Sequence, residues 1–150
     1  MTAAVVNPAP SSLRRRLPAI AVAASTGIVL ALAWWLEPAS KGIGTHQRLG
    51  LPACAWPDRF GIPCPTCGYT TSFALAAKGR FIESFVNQPM AMLTALAVGG
   101  IFVAALWTVA TGRSISPIAS RFCGGKFWII VAILGALSWG YKIAVMRNFL

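Results

Sequence analysis

A chain of 150 residues with 57% apolar and only 11% charged side chains has too little polar surface to cover a water-soluble fold, in which about 25% of residues are charged. The net charge of +10 does not point to nucleic acid, because the basic residues flank apolar runs, where lipid headgroups and topology signals use them. Backbone groups left unpaired by an open sheet cannot be satisfied in lipid, so the composition predicts an all-α integral membrane protein.

Residues 1–16 read as a flexible basic tail that ends in Arg14, Arg15 and Arg16. The first apolar run, 17–36, carries no charge. At 1.5 Å per residue, about 20 residues cross the roughly 30 Å hydrocarbon core. The run exceeds the 7–15 apolar residues typical of a signal peptide, which favours a retained anchor; cleavage near Ala39 would leave two spans. Trp34 and Trp35 close it with the aromatic pair expected at an interface.

A loop over 37–88 follows, in two parts. Leu51 to Gly68 is rich in Pro, Gly and Cys and reads as irregular. Thr70 to Val86 reads as helical: Thr70, Thr71 and Ser72 offer N-capping hydroxyls, and Gly79 breaks or bends the pattern. Phe81, Ile82, Phe85 and Val86 form an apolar face opposite Arg80, Glu83 and Ser84, the pattern of a short amphipathic helix lying in the interface. Asn87 and Pro89 then end that helix and open the second span, 90–110. The third span, 127–146, holds one charge, Lys142, whose position predicts a stem snorkelling to the outer headgroups. Gly99, Gly100, Gly135 and Gly140 are candidates for close helix approach. Residues 17–150 thus form one membrane domain.

Arg14, Arg15, Arg16, Arg113, Arg121 and Lys126 fall on one side of these spans, against five basic residues in the first loop. The excess predicts a cytoplasmic amino terminus, with the cysteine loop and carboxyl terminus outside. Trp107 and Trp128 would then lie near the inner ends of their spans and Tyr141 near an outer one.

Chemistry concentrates in three cysteines, Cys54, Cys64 and Cys67, of which the last two form a Cys-x-x-Cys pair followed by Gly68. Such a pair makes a tight knuckle around a metal, and tetrahedral zinc would find its fourth ligand in His46, the one histidine of the chain. Alternatively the pair is a reversible disulfide, with thiol acidity raised by the helix start that follows. In the third reading the cysteines staple a short loop, the usual use of sulfur in an oxidising compartment. Haem attachment is excluded because Gly68 stands where Cys-x-x-Cys-His needs histidine. Cys123 reads as a free thiol.

Pro52-Ala-Cys54, Gly61-Ile-Pro-Cys64-Pro65-Thr-Cys67-Gly68-Tyr-Thr70, Lys78-Gly79 and Asn87-Gln-Pro89 together resemble a small bacterial membrane family known as domain of unknown function 2752. The likeness spans Leu51 to Leu93, and more loosely Tyr141 to Asn148. It implies a bacterial inner-membrane protein with Pro65, Gly68, Thr70, Asn87 and Pro89 as structural motif positions, and it brings no established reaction. In that family an arginine usually follows the threonine, where this chain has Thr71, and Gln88 stands between the usual Asn and Pro.

Glu37, Asp58 and Glu83 are the only acids and none lies in a span, which argues against carboxylate-driven transport. With no catalytic triad, paired carboxylate or phosphate loop, the leading expectation is a non-catalytic scaffold or accessory subunit. It would contact the bilayer and a membrane-protein partner or a second copy, with a cysteine-stapled loop. A thiol-disulfide protein using Cys64 and Cys67, and a zinc-binding loop, are the alternatives.

Overall fold

The computed structural model describes residues 12–113 and 124–148; most of the tail, Arg121 and Cys123 lie outside them. Among the described residues every regular element is helical. α1 spans Ser12–Trp35, a 3-10 turn Thr45–Leu49, α2 Trp56–Phe60, α3 Tyr69–Ala77, α4 Phe81–Asn87, α5 Pro89–Thr111 and α6 Gly125–Asn148. Three segments are long and apolar enough to cross a membrane: Arg16–Trp35, Pro89–Thr111 and Gly125–Arg147. The three expected spans are therefore recovered, the first shifted by one residue and the other two extended by two and three residues. The loop between α1 and α5 sits at one end of the bundle, and Arg16, Arg113 and Lys126 sit at the other.

Each boundary of α5 has a local cause. Gln88 is extended (φ −158°) and Pro89 occupies the first helical position, where its missing N–H costs no hydrogen bond. Gly112 ends the helix in the left-handed region and its N–H returns to Thr108 O at 2.8 Å.

α1 and α5 form the main seam. Ala19, Ala23 and Ala33 are buried on one helix and Ala91, Ala95 and Ala105 on the other, small residues that let backbones approach where lipid supplies no hydrophobic drive between helices. Gly27 completes the seam: a Cβ there would meet the Phe102 ring at 3.1 Å. The four glycines expected to serve close approach do not, since a Cβ on Gly99, Gly100, Gly135 or Gly140 meets nothing within 4 Å. Outward faces carry Ile28, Leu32, Val103, Leu106, Ile133 and Leu137, the surface acyl chains would cover.

α6 is attached differently. Met90 N donates to Ser138 Oγ at 3.1 Å, Trp139 Nε1 to Pro63 O at 2.9 Å and Tyr141 Oη to Val86 O at 2.7 Å. All three fall in one stretch of α6, and all engage the cysteine loop or the α4–α5 junction.

The helical stretch breaks at Gly79, as its pattern implied, into α3 and α4; the φ of 76° there is a left-handed conformation that glycine adopts without Cβ strain. α4 keeps the expected apolar face of Phe81, Ile82, Phe85 and Val86 exposed and departs on the polar side at one residue. Ser84 is buried, whereas Ile82 is 81% exposed; the helix turns its polar serine inward and its apolar residues outward. That arrangement suits a helix whose surroundings are lipid and whose packed side can satisfy a hydroxyl.

A three-sulfur cleft above a buried polar knot

The knuckle forms because two turns stack across the Cys-x-x-Cys pair. Cys67 N donates to Cys64 O at 3.0 Å and Tyr69 N to Thr66 O at 3.1 Å. Gly68 then adopts φ 90° and starts α3. Cys54 approaches from the segment before α2. The three Sγ atoms lie within 4.8 Å of one another, with Cys64 and Cys67 3.3 Å apart. All three cysteines are free thiols in this structure. The folding of the loop is held by hydrogen bonds, described below.

The two thiols of the pair differ. At Cys64 burial opposes ionisation, but hydrogen bonds from the Thr66 hydroxyl, Cys67 and Cys54 outweigh it and hold the thiol below its ordinary value. At Cys67 burial dominates and the contact with Cys64 adds to it, pushing the thiol up to about 12. Cys64 is therefore the thiolate-leaning partner and Cys67 its proton-holding neighbour.

The sulfurs line a cleft of about 950 Å³ whose walls include Lys41, His46, Arg48, Asp58 and Thr70. His46 shares the cleft, but its ring nitrogens are outside the sulfur group. Its Nε2 lies 3.2 Å from Pro52 O. A carbonyl only accepts, so Nε2 is the donor in this contact. Thr70 thus faces the cleft in the first turn of α3. None of the three hydroxyls expected to cap α3 does so, because the cap is Gly68 with no side-chain bond. Thr71 is buried and bonds Thr45 Oγ1 at 2.8 Å, and Thr45 Oγ1 accepts Ala39 N at 3.0 Å. At the position where the resembled family carries arginine, this chain has a buried hydroxyl joining two segments of the loop.

Beneath the knuckle lies a polar knot. Asn87 Nδ2 donates to Gly68 O at 3.1 Å and to Ser72 Oγ at 2.8 Å. Ser72 and Ser84 exchange hydroxyl-to-carbonyl bonds of 3.2 and 2.8 Å, locking α3 to α4. Gln88, 1% exposed, reaches Pro65 O with Nε2 at 3.4 Å, so Pro65 is held from below. Lys142 enters from α6: its Nζ donates to Asn87 O at 3.1 Å and Asn87 Oδ1 at 2.9 Å, and the residue is 4% exposed. In place of the expected snorkel to the headgroups, the loop folds back over the end of α6 and encloses the amine, offering it both oxygens of Asn87. Sequence reasoning also missed Ser72, Ser84 and Gln88. Their one signal was polarity within an otherwise apolar stretch.

Gly68 and Gly42 make room for this convergence. A Cβ on Gly68 would stand 3.0 Å from Gly42 O, 3.1 Å from Asn87 Nδ2 and 3.3 Å from Lys142 Nζ, and one on Gly42 would collide with Asn87 Oδ1.

Tetrahedral zinc with Zn–S bonds of about 2.3 Å places its sulfurs roughly 3.8 Å apart, so the three thiols already stand near coordinating separation. His46 and Asp58 line the same cleft, but neither brings a ligand atom into the sulfur group, so the protein groups gathered at coordinating separation are the three thiols. Arg16, Arg113 and Lys126, the described members of the expected lipid-contacting set, are remote from this site at the other end of the helices.

Neither the curated proteins nor the solved structures contain a match to this chain. Residues 54–103, about a third of the chain, from the first site cysteine to the middle of α5, match the family described as "Protein of unknown function (DUF2752)", the family that the loop residues resemble.

Proposed function

We propose that the chain is a multi-pass membrane protein that presents a three-cysteine metal site at one membrane face, with zinc as the favoured ion. The convergence of Cys54, Cys64 and Cys67 within 4.8 Å carries this reading. Staples and redox pairs need two sulfurs, whereas a third at the same separation is what a thiolate-bound metal requires. Zinc would be held by these cysteines and would draw the proton from Cys67 on binding. Elemental analysis of protein purified without chelators is expected to give about one zinc per chain, lost in Cys67→Ser. Metal-free protein from zinc-replete cells overturns the reading.

A thiol-disulfide role for Cys64 and Cys67 is the second reading, favoured by their 3.3 Å approach and opposite shifts in acidity. Cys54 separates the two. Cys54→Ser abolishes a three-sulfur metal site but leaves a Cys64–Cys67 redox pair able to cycle, which maleimide gel-shift under oxidising and reducing conditions reads directly.

The setting we favour is a bacterial inner membrane, with the amino terminus cytoplasmic and the site outside, the orientation that keeps the Arg14, Arg15 and Arg16 cluster beside the first span inside. Within it the chain serves as an accessory or scaffold subunit. An apolar groove of about 620 Å³ beside Gly99 and Gly100 is where a partner helix or a second copy would pack.

A further inference from the structure

Lys142 has an amine enclosed by protein and no acid beside it. The chain has three acidic side chains: Glu37 pairs with Lys78, Glu83 pairs with Arg80, and Asp58 stands on the cleft wall. Asn87 supplies two neutral acceptors, O and Oδ1, and an ammonium has three protons to place. Capping the carbonyl end of α4 accounts for the hydrogen bond to Asn87 O, but a neutral donor would serve there at smaller cost. Retaining a cation in an enclosed site next to lipid calls for a compensating negative charge.

That charge is available one residue away. A divalent ion held by three thiolates carries one net negative charge, and Cys67 is followed by Gly68, the residue against which Lys142 Nζ is packed. Asn87 bridges the two by donating to Gly68 O while accepting from Lys142. Glycine at 68 and at 42 keeps that gap clear of side chains. We infer that Lys142 is a positioning residue of the metal site, supplying from the third span the positive charge that balances the three-thiolate centre. The inference rests on the metal reading and adds a residue outside the loop, so the ion and the docking of α6 support one another.

The test uses the full-length chain in detergent with Co²⁺ as the probe, comparing the unsubstituted protein with K142M, K142R and Y141F. K142M removes the charge at similar volume and K142R retains it. Y141F deletes a neutral tether of α6, the bond to Val86 O. K142M is expected to weaken Co²⁺ binding about tenfold or more, the scale on which groups around metal ligands act. It also moves the sulfur-to-cobalt charge-transfer band to longer wavelength, because a thiolate without a neighbouring cation gives up its electron more easily. K142R is expected to restore affinity and band position, and Y141F to leave both in place. Equal affinity and an unmoved band in K142M overturn the inference; so does Y141F matching K142M, which would make docking rather than charge the cause. Should the unsubstituted chain take up no Co²⁺, the metal reading fails and the balance is read on bare thiolates. Iodoacetamide alkylation of the cysteines is then several times slower in K142M than in the unsubstituted chain and K142R, and equal rates in all three overturn the charge-balancing role.

Discussion

The α1–α5 seam and the loop core beneath the cysteines are built from opposite materials. The seam buries alanines and a glycine, and its cohesion is van der Waals contact between closely spaced backbones. The loop core buries Thr45, Thr71, Ser72, Ser84 and Gln88, and its cohesion is hydrogen bonding. In lipid, apolar side chains gain nothing by leaving the solvent for one another, so they can face outward, while polar groups must find partners inside. The interior of this protein is accordingly polar beneath the cysteines and built of small residues along the α1–α5 crossing. α6 shows the rule from the other side, being fastened through Ser138, Trp139, Tyr141 and Lys142 rather than through its apolar length.

Breaking the polar region should cost more than crowding the seam. Asn87→Ala strips partners from Gly68, Ser72 and Lys142 at once and leaves a buried amine with one acceptor fewer. A loss of about 3–5 kcal/mol is expected, the range for breaking a buried charged network, measured as a shift in the denaturant midpoint of detergent-solubilised protein. A loss under about 1 kcal/mol would show that the knot is hydrated and contributes little.

Gly27→Val tests the seam. Its new Cβ meets Phe102 at 3.1 Å, a ring that can shift only by loosening α1 from α5, and about 1–3 kcal/mol is expected from overpacking, read by the same unfolding assay. Gly99→Val is the matched control within α5. With nothing within 4 Å of its Cβ, it should change the stability of the isolated chain by less than about 0.5 kcal/mol. A large effect of Gly99→Val in the monomer would mean that small residues matter along the whole helix rather than at one crossing.

Legibility divided along the same line. Apolar runs of about 20 residues with at most one charge announced the spans, because lipid imposes one requirement, apolarity over a fixed length, that composition alone can meet or fail. Pro89 and Gly79 were readable because their backbone preferences act within one or two residues. The Cys64–Cys67 knuckle was readable for the same reason, as two residues of spacing set its turn. Lys142 was misread as a snorkelling residue because nothing near it in sequence records that a loop some 55 residues earlier folds over it. The burial of Ser84 was not legible because helical periodicity tells which residues share a face but not which of them a neighbouring helix covers.

By itself the sequence determined the membrane class, the three helical segments and the identity of the chemistry-bearing residues, since each follows from local composition or short spacing. Only the tertiary structure decided that Cys54 joins the Cys64–Cys67 pair, that Gly27 rather than Gly99 lies at the crossing, and that Asn87 links Gly68 to Lys142. Those outcomes depend on which distant segments come to share space, and contacts between residues dozens of positions apart leave no periodic trace in the chain that makes them.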